Sequence, residues 1–214
     1  MADKKKTTGN PDAARDSFVY KFCFSICKWF LVSLLFYLCS LPIITIGTAA
    51  CTAVAEFRDG ALDVSDIFRS WFSHFAAYFK KTVLVFLLFL LTIMLLILNL
   101  SFYSQFAASG SLFYYTIMGL NILLIITAVS MLRFYNYEVT LEEDLPFKER
   151  FQNSVKRMLK CLPAAGILSL LDIALAATLA GAAVTIPVLL IYPGFHAFLT
   201  CRLIAWFDAR GKEN

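Results

Sequence analysis

The 214-residue chain is 60% hydrophobic and 16% charged, with 21 Phe and a net charge of +4. Soluble domains run at roughly 45–50% apolar and about 25% charged, and a chain of this length cannot hide so much apolar surface, so a water-soluble globular fold is excluded. What remains is an all-α integral membrane protein, read as one domain over 18–210.

In chain order, residues 1–17, with Lys4-Lys5-Lys6 and the polar TTGNPD stretch, read as a disordered cytosolic segment. The apolar run at 22–41 is longer than a signal-peptide core, and Phe36-Tyr37-Leu38 offers no small-residue cleavage site, so it stays as an anchor. LPIITIGTAAC (41–51) then interrupts it. Pro42 disfavours helix at Leu41 and donates no backbone hydrogen bond, while Gly47 permits turn dihedrals. The small residues of 47–55 allow a close helix contact. The reading is the outer turn of a hairpin; a proline kink or a re-entrant half-helix is the rival.

Charge decides between them at this stage. All 19 Lys and Arg fall in four blocks, separated by 29–55, 82–132 and 161–201, which hold no charge except Asp172. A crossing of about 30 Å takes roughly 20 residues. The 82–132 gap therefore holds two crossings, turning near SFYSQFAASGS (101–111), and 161–201 holds two, turning near Gly181. Two crossings in the first gap put every cation on the cytoplasmic side, as retained Lys and Arg prefer. One crossing would give five helices and leave the first basic block outside. The expectation is thus six transmembrane helices in three hairpins, alternatively five, with both termini at the cytoplasmic face of the cell membrane and 211–214 as a tail. The limb from Ile46 is short for a full crossing.

Two amphipathic cytoplasmic-face helices link the hairpins, over about 62–81 and 145–160. The first aligns Val64, Ile67, Phe68, Trp71, Phe72, Phe75 and Phe79 on one stripe, with Ser65 as its N-cap. The second aligns Phe147, Phe151, Val155, Met158 and Leu159 below a basic face, with Asp144 as the cap. A shift of 79 residues superposes Phe68, Arg69, Phe72 and Lys81 on Phe147, Lys148, Phe151 and Lys160, which suggests a duplication. Such helices lie in the headgroup plane and favour anionic lipid; the alternative is a docking surface for a cytoplasmic protein. Lipid, not nucleic acid, is the partner implied by the basic segments.

Leu41-Pro42-Ile43-Ile44-Thr45-Ile46-Gly47 with Ala49 and Ala50, and DIFRSWFSHFAAYFKKT at 66–82, resemble the YesL-like family of bacterial multi-pass membrane proteins. Tyr192-Pro193-Gly194 followed by Phe195 and Phe198 is similar to that family's closing helix. The likeness is close over about 30–95 and looser beyond. It implies a multi-pass fold of unknown function. The setting of such proteins beside carbohydrate uptake genes implies an accessory partner of sugar transporter subunits. It assigns no site residue.

Chemistry in the chain is sparse. Asp172 is an acid inside an apolar run, where charge is costly and functional by default. With a turn near Gly181 it lies level with Pro193, one helical turn from His196, and the two side chains can meet. One reading is a protonatable Asp172–His196 pair on a solute or proton path, supported by a last helix broken at Pro187 and Pro193-Gly194. The other is a neutral Asp172 that locks two helices by donating to the Leu189 carbonyl. Asn99 and Asn121 are the remaining intramembrane amides. The six Cys form no CxxC pair and have no His-rich partner set, so no metal and no cofactor are expected. Cys23 and Cys27 are expected to be buried small hydrophobes, and His74 to be solvated. No nucleophile elbow, phosphate loop or acid–base pair is present, so an enzyme is not expected.

Overall fold

The structure, a computed structural model, describes residues 18–59, 64–106, 111–141, 145–180 and 185–210. The expected disordered segment 1–17, the turn at Gly181, the cap Asp144 and the tail 211–214 lie outside them. Every element among the described residues is helical: α1 (Phe18–Cys39), a 3-10 turn (Ile43–Thr45), α2 (Ile46–Asp59), α3 (Val64–Phe106), α4 (Leu112–Leu141), α5 (Phe147–Lys160), α6 (Leu162–Ala180) and α7 (Thr185–Arg210).

Among the described residues four helices are long and apolar enough to cross a membrane (α1, α3, α4 and α7), and a fifth span is available if α5 and α6 are taken as one bent pair. The sixth crossing expected of the limb from Ile46 is not among them. At 14 residues, α2 is about 21 Å long, short of about 30 Å of hydrocarbon. It is instead the most enclosed helix of the bundle. Gly47, Thr48, Ala49, Cys51, Thr52, Ala53, Val54, Ala55 and Glu56 are all buried, against α1, α3, α4 and α7. The small side chains of GTAACTAVA are the reason: a Cβ on Gly47 would stand 2.5 Å from the Cβ of Phe86.

The bend between α1 and α2 forms at Pro42 as the sequence implies, but Gly47 is not part of it: it lies inside α2, where its missing side chain admits Phe86. Pro42 is extended (φ −77°, ψ 121°) and starts the 3-10 turn. The Thr45 hydroxyl reaches back to the carbonyls of Cys39 (2.5 Å) and Pro42 (2.6 Å), and the Thr45 N–H donates to Pro42 O (3.0 Å).

The helix expected at 62–81 is not a separate interfacial element. It runs without interruption into the following membrane segment as the 43-residue α3, about 64 Å long. Ser65 falls inside its first turn rather than ahead of it. Its apolar stripe also divides: Ile67 and Trp71 are fully buried in the bundle core with Val32, Phe134, Ala164 and Ile204, while Phe68 and Phe72 face outward. Protein, not lipid, covers half of that stripe.

At the position related by the 79-residue shift the chain behaves differently. α5 and α6 meet at 86°. Pro146 precedes α5 with no side-chain cap. The 79-residue shift places Pro163 opposite Leu84. Proline disfavours helix in the residue before it and has no N–H to continue the ladder, so the chain turns at Cys161-Leu162 where α3 runs on. The Cys161 carbonyl then accepts from Ala165 N–H (3.1 Å) to start α6.

α7 does not break as expected: it runs on from Thr185 to Arg210 with Pro193 inside it, and α1 supports it at that point. Ser33 Oγ accepts from Gly194 N–H (2.8 Å) and donates to Ile191 O (3.1 Å), replacing helix bonds lost around the proline. The contact requires glycine: a Cβ on Gly194 would lie 2.2 Å from the Trp29 carbonyl oxygen.

Candidate functional site

Three polar clusters join different helices. The first surrounds Asp172 on α6. Its Oδ2 accepts from Arg133 Nη2 of α4, and its Oδ1 accepts from the Tyr192 hydroxyl of α7 at 2.6 Å. His196, one turn along α7, brings Nε2 to 3.4 Å from Oδ1 without completing a hydrogen bond. One turn away, Ser130 and Ser169 join the same two helices at 3.2 Å. The predicted meeting of Asp172 and His196 is therefore observed as proximity. Asp172 places its two oxygens on Arg133 and Tyr192 in a charge-assisted cluster, and neither partner was predicted.

Arg133 and Tyr192 are the residues that sequence reasoning left out. Arg133 was grouped with the cytoplasmic cations, yet its side chain is only 8% exposed. A signal existed: it is the first charge after the uncharged 82–132 run, and Asp172 is the lone charge in 161–201. Two isolated opposite charges bordering apolar helices have each other as the cheapest partners.

The second cluster ties α4, α5 and α7. Arg157 donates through Nε to Glu138 and through Nη1 to Asp208 (2.5 Å), with its guanidinium over the Tyr137 ring at 5.6 Å. A polar cleft of about 160 Å³, lined by Glu138, Asn153, Lys156, Arg157, Lys160 and Asp208, opens there.

The third lies between α2 and α3. Glu56 is 1% exposed. Its Oε2 accepts from Ser70 Oγ (2.9 Å), and Oε1 stands 3.2 Å from His74 Nδ1. His74 Nε2 lies 3.3 Å from Asp59 Oδ2, and Lys28 Nζ donates to the Glu56 carbonyl at 2.8 Å. His74 is thus not the solvated residue expected. It precedes the uncharged run of α3, and its hydrogen bond to Glu56 raises its pKa above the ordinary value, with burial opposing.

An apolar cavity of about 270 Å³ adjoins the Asp172 cluster, lined by Phe36 and Tyr37 of α1, Ala50 and Ala53 of α2, Leu175 of α6, and Tyr192, Pro193, His196 and Ala197 of α7. Pro42 and Gly47 stand outside it, Pro42 at the bend and Gly47 in the contact of α2 with α3. Asn99 donates to Asn121 (2.9 Å), pairing α3 with α4 away from the other clusters. All six cysteines are free, and Cys23 and Cys27 are exposed rather than buried. Among the described residues no His, Cys, Asp or Glu grouping is arranged to hold a metal ion.

Residues 29–100 match the family model described as "Protein of unknown function, DUF624". The resemblance carried by 41–51 and 66–82 falls within that match. No curated protein and no solved structure matches the chain.

Proposed function

We propose that this chain, which carries that domain of unknown function, is a non-enzymatic multi-pass membrane component that works by binding another membrane complex. Both termini face the cytoplasm. The observation that carries the reading is the use of the interhelical charges. Arg133 pairs with Asp172 through Nη2, leaving Nη1 without a hydrogen bond, Arg157 pairs with Glu138 and Asp208 across α4–α7, and Glu56 is taken by Ser70 and His74. Charges arranged in this way lock helices together and leave few to bind a polar solute. The adjoining cavity has mostly apolar and aromatic walls, which would leave most sugar hydroxyls without partners. An accessory role in carbohydrate uptake rests on the family resemblance, and sugar transporter subunits are the partners it suggests. Anionic headgroups along α5 complete the expected contacts.

A second reading, a small solute or proton-coupled transporter, is favoured by one observation: His196 Nε2 is enclosed beside Asp172 without a hydrogen bond. Reconstitution in liposomes separates the two. Flux of a sugar or of protons through the purified protein, abolished by Asp172→Asn, would overturn the accessory reading. Absence of flux, with transporter subunits co-purifying in mild detergent, supports it. Absence of both would remove the partner-binding reading as well.

A further inference from the structure

From the register of α1, α2 and α3, we infer that the α1–α2 hairpin does not traverse the bilayer, but enters the hydrocarbon from the cytoplasmic side and returns, with its bend at 40–45 embedded among acyl chains. The inference rests only on the chain being a membrane protein with α3 crossing outward. The partner-binding reading can fail and leave it standing.

The first observation is depth. Lys28 of α1 meets the Glu56 carbonyl of α2, which centres the hairpin on Pro42. α2 runs antiparallel to α3, with Glu56 beside His74, Thr48 Oγ1 2.8 Å from Thr82 Oγ1, and Gly47 against Phe86. The bend follows one turn later, and the 3-10 segment packs on α3. Yet α3 continues to Phe106, 20 residues past Phe86, or about 30 Å. Leu88, Leu91, Leu95, Leu98 and Phe102 on that stretch are all exposed and apolar. A hairpin that crossed fully would bring its bend level with the α3–α4 end. This one stops near the start of the apolar stretch.

The second observation is the chemistry of the bend. Turns in water expose polar residues. Here Leu41 is 78% exposed and Ile43 63%, with Leu38 and Ile44 also exposed. Several backbone groups at the bend are paired from within: Ser40 N–H donates to Phe36 O (2.9 Å), and the Thr45 hydroxyl, itself buried, serves the Cys39 and Pro42 carbonyls, while the Ser40 hydroxyl has no partner. Irregular backbone at membrane depth requires such internal pairing, because lipid offers none. Water would make it unnecessary. Charge agrees as well: a hairpin that leaves by the side it entered keeps the first basic block cytoplasmic, without asking 14 residues of α2 to cross.

The test uses the full chain with Cys23, Cys27 and Cys39 changed to Ser. Single probes are Leu41→Cys and Ile43→Cys at the bend, with Ile44→Cys as a further probe if one of these does not accumulate. Ser111→Cys marks the far end of the α3–α4 hairpin, and Arg69→Cys marks the cytoplasmic side. A membrane-impermeant maleimide is applied to intact cells and to inverted vesicles. Ser111→Cys should label in cells and Arg69→Cys in inverted vesicles, with the bend probes at background in both. The bend probes should react once the protein is unfolded in detergent. A fluorophore placed on them should be quenched most by lipids brominated at mid-chain. Labelling of the bend in intact cells would establish a full traversal and overturn the inference. Labelling in inverted vesicles, or strongest quenching by headgroup-proximal bromine, would overturn it as well.

Discussion

Gly194→Ala puts the α1–α7 contact to a quantitative test. The added Cβ would lie 2.2 Å from the Trp29 carbonyl oxygen, 2.8 Å from its carbon and 2.9 Å from the Trp29 Cα. An ordinary carbon–oxygen contact is about 3.3 Å, so α1 and α7 must part by about 1 Å. The Gly194 N–H to Ser33 Oγ bond, 2.8 Å long, would then exceed the useful range of about 3.2 Å. Overpacking costs about 1–3 kcal/mol, and a buried donor left without its acceptor about 1–3 kcal/mol more. Alanine recovers about 1 kcal/mol of helix propensity. The net loss centres on about 3 kcal/mol, which at 2–4 °C per kcal/mol for a chain of this size lowers the melting temperature by about 6–12 °C. Gly119 and Gly166 are the controls, because a Cβ at either position meets nothing within 4 Å; Ala there should leave stability unchanged or raise it by up to about 1 kcal/mol. The assay is thermal unfolding of purified, monodisperse protein in one mild detergent. A Gly194→Ala protein melting with the two controls would refute the close crossing.

Other substitutions probe the polar clusters. Arg133→Leu and Asp172→Leu should each destabilise more than half of the double replacement does, with a coupling of about 0.5–3 kcal/mol; strictly additive melting shifts would rule out the pair. Thr45→Val should cost about 1–3 kcal/mol by stranding the Cys39 carbonyl, the Pro42 carbonyl keeping its bond from the backbone N–H of residue 45, whereas Thr45→Ser, which keeps the hydroxyl, should melt near the unchanged protein. His74 supplies a pH dependence of defined sign. Its folded pKa is raised by the hydrogen bond to Glu56, so its stabilisation is complete below the unfolded value of about 6.5 and fades as pH rises through the higher folded value. Melting temperatures taken across neutral pH should fall on the alkaline side, and Glu56→Gln should flatten that slope. An unchanged slope in Glu56→Gln would disconnect the two residues.

Some of this molecule could be read from residue order, and the limits of that reading have physical causes. Pro42 announces a bend because it restricts the backbone by itself, whatever surrounds it, whereas Gly47, read as part of the turn, serves the packing of α2 on Phe86. Asp172 and His196 come together because helical rise fixes their depths once the turn is placed. α3 escaped because amphipathicity locates an apolar stripe but says nothing of whether the helix stops. Leu84 permits continuation where Pro163, at the matching place, forces an elbow, so two similar stripes end in different geometry. Ile67 and Trp71 face protein while Phe68 and Phe72 face outward, a division that only the neighbouring helices decide. Arg133 was hidden for a related reason: charge counting assigns cations to a side of the membrane by their Cα position, whereas an arginine's long side chain can extend the charge well away from its backbone. The bend follows the same logic. Six crossings followed from keeping every cation on one face, but a re-entrant hairpin meets that requirement equally well. Charge therefore constrains where the chain leaves the membrane, and the lengths of α2 and α3 determine how deep it goes.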